Sequence, residues 1–95
     1  MTVTADVDLE RPWRLDSQVA LRPEPFGALA YHFGTRRLSF LKSRMLLDVV
    51  STLEEHSSAR EACRAAGVRP EELPRYERAL WTLAEAGMIT PTDQR

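Results

Sequence analysis

A chain of 95 residues that is 43% apolar and 28% charged has the composition of one globular domain, able to bury a core but too small for a deep active-site cleft. Its net charge of −1 removes any global electrostatic case for nucleic-acid binding, and its single cysteine, Cys63, excludes an internal disulfide framework. No apolar run approaches the roughly 20 residues that span a bilayer. A lone thiol and an N-terminus without a signal-peptide pattern point to the cytoplasm.

In chain order, residues 1–11 read as a disordered tail, 12–90 as the folded domain and 91–95 as a C-terminal tail. Pro12 opens a possible first strand through Trp13 and Leu15. Asp16-Ser17-Gln18 interrupts it before Val19 and Leu21 resume the alternation. Arg22-Pro23-Glu24-Pro25 reads as a connector, because two prolines interrupt a ladder. The stretch from Phe26 to Leu41 then reads as a β-hairpin with Gly34-Thr35 as a two-residue turn and glycine at the position that needs positive φ. This register sets Phe33 opposite Arg36, Tyr31 opposite Leu38 and Leu29 opposite Phe40. One face carries Leu29, Tyr31, Phe33, Leu38 and Phe40, the other Ala28, Ala30, His32, Arg37, Ser39 and Leu41. The bulkier face is expected to anchor the helices, with His32 toward solvent, so a buried Phe40 would cost about 3–5 kcal/mol to truncate.

Helix signals follow. Ser43 reads as an N-cap for an amphipathic helix over 44–55, with Met45, Leu46, Val49, Val50 and Leu53 on one side. Ser58-Ala59-Arg60-Glu61 matches a capping box, and the helix it opens buries Ala59, Ala62, Cys63 and Ala66 before stopping at Gly67, with Val68 folded back on Cys63. The third helix is expected from Pro74, since an interior Pro74 would break a helix begun at Pro70. Its stripe is Leu73, Tyr76, Leu80, Leu83 and Ala84, and it ends at Gly87 with Met88 turning back toward Leu83. Met88-Ile89-Thr90 reads as a short extended piece. Two or three strands and then three helices make a small α+β domain whose last two helices resemble a helix-turn-helix.

No catalytic constellation is visible. His32 and His56 have no metal-ligand partner at useful spacing, and Cys63 sits on an apolar stripe as a small buried hydrophobe. Trp81 falls beside its helix's core stripe, as an edge packing residue or a partner anchor. DNA binding is the alternative that the helix-turn-helix suggests. Against it, Glu71, Glu72, Glu77 and Glu85 outnumber Arg75 and Arg78 on the last helix and would repel a polyanion.

Arg36, Arg37, Lys42 and Arg44 give the second hairpin strand a basic run. As the last strand of the sheet, Arg36–Leu41 leaves an edge that a peptide could join, or the cations simply protect that edge. The run from Arg22 to Ser43 (Arg-Pro-Glu-Pro-Phe-Gly-Ala-Leu-Ala-Tyr-His-Phe-Gly-Thr-Arg-Arg-Leu-Ser-Phe-Leu-Lys-Ser) resembles the mycofactocin biosynthesis chaperone family, MftB. These are stand-alone PqqD-like recognition elements for ribosomally made, modified peptides (RiPP recognition elements). The likeness extends from about Trp13 to Ile89. It implies a winged-helix-like domain of three strands and three helices with no enzymatic activity and no cofactor. It also implies a peptide partner, the leader region of the mycofactocin precursor, lying as an added strand along the third strand in a groove shared with the third helix. The second implied partner is a radical S-adenosylmethionine maturase, to which the radical chemistry must belong, since one cysteine cannot hold an iron–sulfur cluster. The site residues that the resemblance implies are Arg36, Arg37, Leu38, Ser39, Phe40 and Leu41 on the strand, with Arg75, Arg78, Ala79 and Thr82 on the helix. The cations would favour an acidic leader.

Overall fold

The computed structural model describes residues 8–92. Five strands and three helices follow in the order β1 (Trp13–Leu15), β2 (Val19–Glu24), β3 (Gly27–His32), β4 (Leu38–Leu41), α1 (Arg44–Ser51), α2 (Ala59–Ala66), α3 (Leu73–Glu85) and β5 (Ile89–Pro91). The fold is α+β and compatible with a winged-helix-like arrangement. A three-stranded antiparallel sheet runs β2-β3-β4, and β1 pairs separately with β5. The two halves of the expected first strand therefore part company. Trp13–Leu15 joins the far end of the chain, pairing Trp13 with Pro91 and Leu15 with Ile89, while Val19–Glu24 joins the hairpin.

The hairpin register is as expected, with Leu29 opposite Phe40 and Tyr31 opposite Leu38. Its turn is not. His32 and Arg37 close a four-residue loop, with the His32 amide donating to the Arg37 carbonyl at 3.0 Å and the Arg36 amide donating to the His32 carbonyl at 2.7 Å. The residue with positive φ is Arg36, at 66°, rather than Gly34. The expectation of a connector at 22–25 is also corrected, because β2 runs through Pro23 to Glu24. Ladder bonds alternate between the two sides of a strand, and the Phe33 amide bonds the Gln18 carbonyl at 2.8 Å. That phase turns the bonding groups of Ala20, Arg22 and Glu24 toward β3 and leaves Pro23 with its missing amide on the open edge, where proline is tolerated.

The two faces of the sheet are the reverse of the expectation. Ala28, Ala30, His32 and Leu41 are the buried set, whereas Phe33, Leu38 and Phe40 are exposed and Leu29 and Tyr31 half-buried. Helix α1 packs on β3 and β4, and the small side chains let it approach. At Gly27, with φ 149°, a Cβ would overlap the Leu41 carbonyl oxygen. Periodicity alone shows that a strand has two faces; here both carry apolar residues, and close approach selects the smaller set.

The helix ends follow local chemistry. Ser43 and Ser58 cap α1 and α2, accepting from the Leu46 and Glu61 amides at 3.0 and 3.1 Å. Helix α1 stops at Ser51, short of the expected Glu55, where the Thr52 hydroxyl donates to the Asp48 carbonyl at 2.8 Å; a 3₁₀ turn over Leu53–Glu55 keeps Leu53 buried. Gly67 and Gly87 take left-handed conformations, and the Val68 and Met88 amides reach back to the Cys63 and Leu83 carbonyls at 3.0 and 2.9 Å. Pro70–Glu72 form a 3₁₀ turn, so α3 begins at Leu73, one residue before the expected Pro74.

Residues 1–7 of the expected N-terminal tail and 93–95 of the C-terminal tail lie outside the described residues. The intervening Asp8–Arg11 differs from the expectation, because it packs on α2. Leu9 is buried, and the Leu9 and Arg11 carbonyls accept from the Arg60 and Ala59 amides at 2.9 and 3.0 Å, satisfying donors of the first helical turn. The core comprises Val49, Val50, Leu53, Ala59, Ala62, Cys63, Leu80, Leu83, Met88 and Ile89, closed by Trp13 and Tyr76. Among the described residues, no helix is long and apolar enough to cross a membrane.

Candidate functional site

Strand β4 is an edge strand. The His32–Arg37 bond fixes its phase, so Ser39 and Leu41 direct their backbone groups to Ala30 and Ala28 of β3. The amides and carbonyls of Leu38 and Phe40 consequently face the open edge. That edge borders a trough of about 480 Å³ lined by Leu38, Ser39, Phe40 and Lys42 from the strand side, Leu46 from α1, and Ala79, Thr82 and Leu83 from α3. A second hollow of about 270 Å³ shares Lys42, Leu46 and Ala79 with it and adds Ser43, Arg75 and Tyr76. The two are adjacent, sharing lining residues along one channel-like side of the strand, and their linings are largely apolar with Lys42 and Arg75 as the cations. Among the described residues, no ion pair joins Arg36, Arg37, Lys42 or Arg75 to a carboxylate.

Of the expected site residues, Leu38, Ser39, Phe40, Ala79 and Thr82 line the trough, and Arg75 lines the adjoining hollow with Ala79. Arg36 and Arg37 lie in the hairpin loop, since β4 begins only at Leu38. Leu41 is fully buried and gives its side chain to the core. Arg78 falls on the other flank of α3, beside a separate hollow of about 410 Å³ that it shares with Pro74, Glu77 and Trp81. The half-buried Trp81 has an indole nitrogen without a hydrogen-bond partner. Sequence reasoning missed Leu46, Tyr76 and Leu83 as lining residues, because a core stripe does not reveal which of its members floors a groove. Lys42 was legible as part of the basic run.

The expectation of a solvent-facing His32 is corrected. Its ring is buried, and Nδ1 accepts from the Gly34 and Thr35 amides at 3.0 and 3.1 Å. The ring proton therefore belongs on Nε2, which lies 3.6 Å from the Asp16 carboxylate. His32 ties down the loop that carries Arg36 and Arg37. Burial pushes the Cys63 thiol up to about 11, against a small opposing pull from Arg60. A thiol held neutral in this way is a packing group and a poor nucleophile. Among the described residues, no three His, Cys, Asp or Glu are grouped to hold a metal ion.

The sequence model of the Peptide chaperone MftB family matches residues 12–90. The chain belongs to this family. A Peptide chaperone MftB of Mycobacterium ulcerans (strain Agy99) is 57% identical over 86 residues, covering 90% of this chain and 79% of the relative. Those of Mycobacterium tuberculosis (strain ATCC 25618 / H37Rv) and Mycolicibacterium smegmatis (strain ATCC 700084 / mc(2)155) are 53% and 52% identical over 88 and 89 residues. These alignments cover 93% and 94% of this chain and 81% and 85% of the relatives. No solved structure gives a significant match.

Proposed function

We propose that this chain is a non-catalytic peptide chaperone that takes the leader of the mycofactocin precursor as a fourth strand on the β4 edge and presents it to a radical S-adenosylmethionine maturase. The observation that carries the reading is the open edge at Leu38 and Phe40 beside largely apolar hollows that Lys42 and Arg75 help line, with Arg36 and Arg37 in the hairpin loop that precedes the strand. Backbone bonds to the edge supply affinity that is largely independent of sequence. Side chains entering the channel, together with carboxylates near its cations, supply selection. Membership of a family of peptide chaperones supports the same reading. The DNA-binding alternative has the weaker chemistry, since Glu71 and Glu85 are exposed near the two ends of α3.

The test is a calorimetric titration with the precursor peptide, comparing the wild-type chain with Leu38→Pro and Ser39→Pro. Leu38→Pro removes an amide that faces the open edge and no ladder bond. It is expected to stay folded by circular dichroism and to lose at least about tenfold in affinity. Ser39→Pro removes a bond to β3 and is expected to destabilise the fold itself. A folded Leu38→Pro chain that binds as tightly as wild type contradicts strand addition.

A further inference from the structure

Leu29, Tyr31, Leu38 and Phe40 share the outer face of the sheet, with Phe26 and Phe33 at its ends. Phe26, Phe33, Leu38 and Phe40 are 44%, 60%, 57% and 59% exposed. Phe26 stacks on Phe40 at 5.8 Å between ring centroids and Tyr31 meets Phe33 edge-on at 5.2 Å, and the register sets Leu29 opposite Phe40 and Leu38 opposite Tyr31, between the two ring pairs. Among the described residues, nothing covers it. A contiguous exposed apolar face of this kind marks an interaction surface, and the core described above does not need it. The stretch 19–43 that forms it is basic: Arg22, Arg36, Arg37 and Lys42 are exposed, and the one carboxylate within that stretch, Glu24, is engaged by Arg22 at 3.1 Å.

This face is continuous with the peptide channel, because Leu38 and Phe40 belong to both. A strand added to β4 would set its alternate side chains beside them and widen the same outer face. A protein docked there would touch the chaperone and the bound peptide together. It would also meet a surface suited to apolar residues ringed by carboxylates.

We propose that the outer face of the sheet is the docking surface for the maturase, an inference that rests on the peptide-presenting role above. The partner surface is correspondingly apolar with an acidic rim. The test uses the purified maturase and the precursor peptide, each titrated against the wild-type chain, Phe26→Ser and Phe33→Ser. Neither phenylalanine lines the channel, and circular dichroism and the denaturation midpoint check each fold. Both variants are expected to bind the maturase at least about tenfold more weakly, as for aromatic anchors at an interface, with affinity for the precursor unchanged. Thr82→Glu, an exposed position on the helix side of the channel and off the sheet face, is expected to show the converse pattern, weaker for the precursor and unchanged for peptide-free maturase. Wild-type affinity of both phenylalanine variants for the maturase overturns the proposal. So does failure of the wild-type chain to bind the maturase with or without peptide. A wild-type dimer by sedimentation that Phe33→Ser converts to monomer also overturns it, since a second copy then occupies the face. Failure of the wild-type chain to bind the precursor is a separate result, and it counts against the peptide-presenting role instead.

Discussion

Across the three-stranded sheet, the face against the helices is built of Ala28, Ala30, His32 and Leu41, whereas the face against water carries Leu29, Tyr31, Leu38 and Phe40. The larger side chains are on the wetter side. The inner face stabilises the domain by letting α1 come close, so that Val49, Val50 and Leu53 bury their own surface nearby. The outer face contributes little to the fold and remains available for contacts with other molecules. Fold and recognition are thereby assigned to opposite sides of the same strands, and the β4 edge lies between them.

Substitutions on the two faces should separate these roles, and the largest effect belongs inside. Leu41→Ala removes a fully buried side chain and is expected to cost about 2–5 kcal/mol in urea denaturation. Ala30→Leu adds volume where the residue is 1% exposed, at an expected cost of about 1–3 kcal/mol from overpacking. Phe40→Ala, on the outer face, is expected to change stability by less than about 1 kcal/mol despite the larger deletion, because the ring is mostly solvated. Equal costs for Leu41→Ala and Phe40→Ala would remove the distinction between the faces.

A smaller effect comes from the thiol on the buried side. The folded Cys63 titrates at about 11, above its ordinary 9.0, so the fold favours the neutral thiol. That contribution is complete below pH 9. It is lost as pH rises toward 11, because the unfolded chain ionises first. The wild-type denaturation midpoint is therefore expected to fall more steeply over this range than that of Cys63→Ala, which also cancels the titration of other groups common to both. Parallel pH profiles would show that Cys63 is not held neutral.

What was legible in the sequence was local. The caps at Ser43 and Ser58 and the stops at Gly67 and Gly87 are set by hydrogen bonds within a few residues. The hairpin register follows from two adjacent strands. Features that depend on distant partners were not legible. The pairing of β1 with β5 joins opposite ends of the domain, and the tolerance of Pro23 depends on which edge of β2 is open. Which face would be buried depended on how close α1 comes, and with apolar residues on both faces the pattern could not decide it. The burial of His32 follows from that same choice. For the site, the strand side was readable from the basic run and the edge position. On α3, Arg75, Ala79 and Thr82 reach the channel while Arg78 turns to the opposite flank. The azimuth of a helix over a sheet is a packing result that spacing along the helix does not carry.

The central claim is that a peptide bonds to the backbone of β4 at Leu38 and Phe40. Amide hydrogen exchange of the chain, measured by NMR with and without saturating precursor peptide, tests it most directly. The account expects the Leu38 and Phe40 amides to exchange quickly in the free chain and to become protected in the complex, accompanied by shifts at Ala79 and Thr82. A saturated complex in which those two amides exchange as they do in the free chain would contradict it.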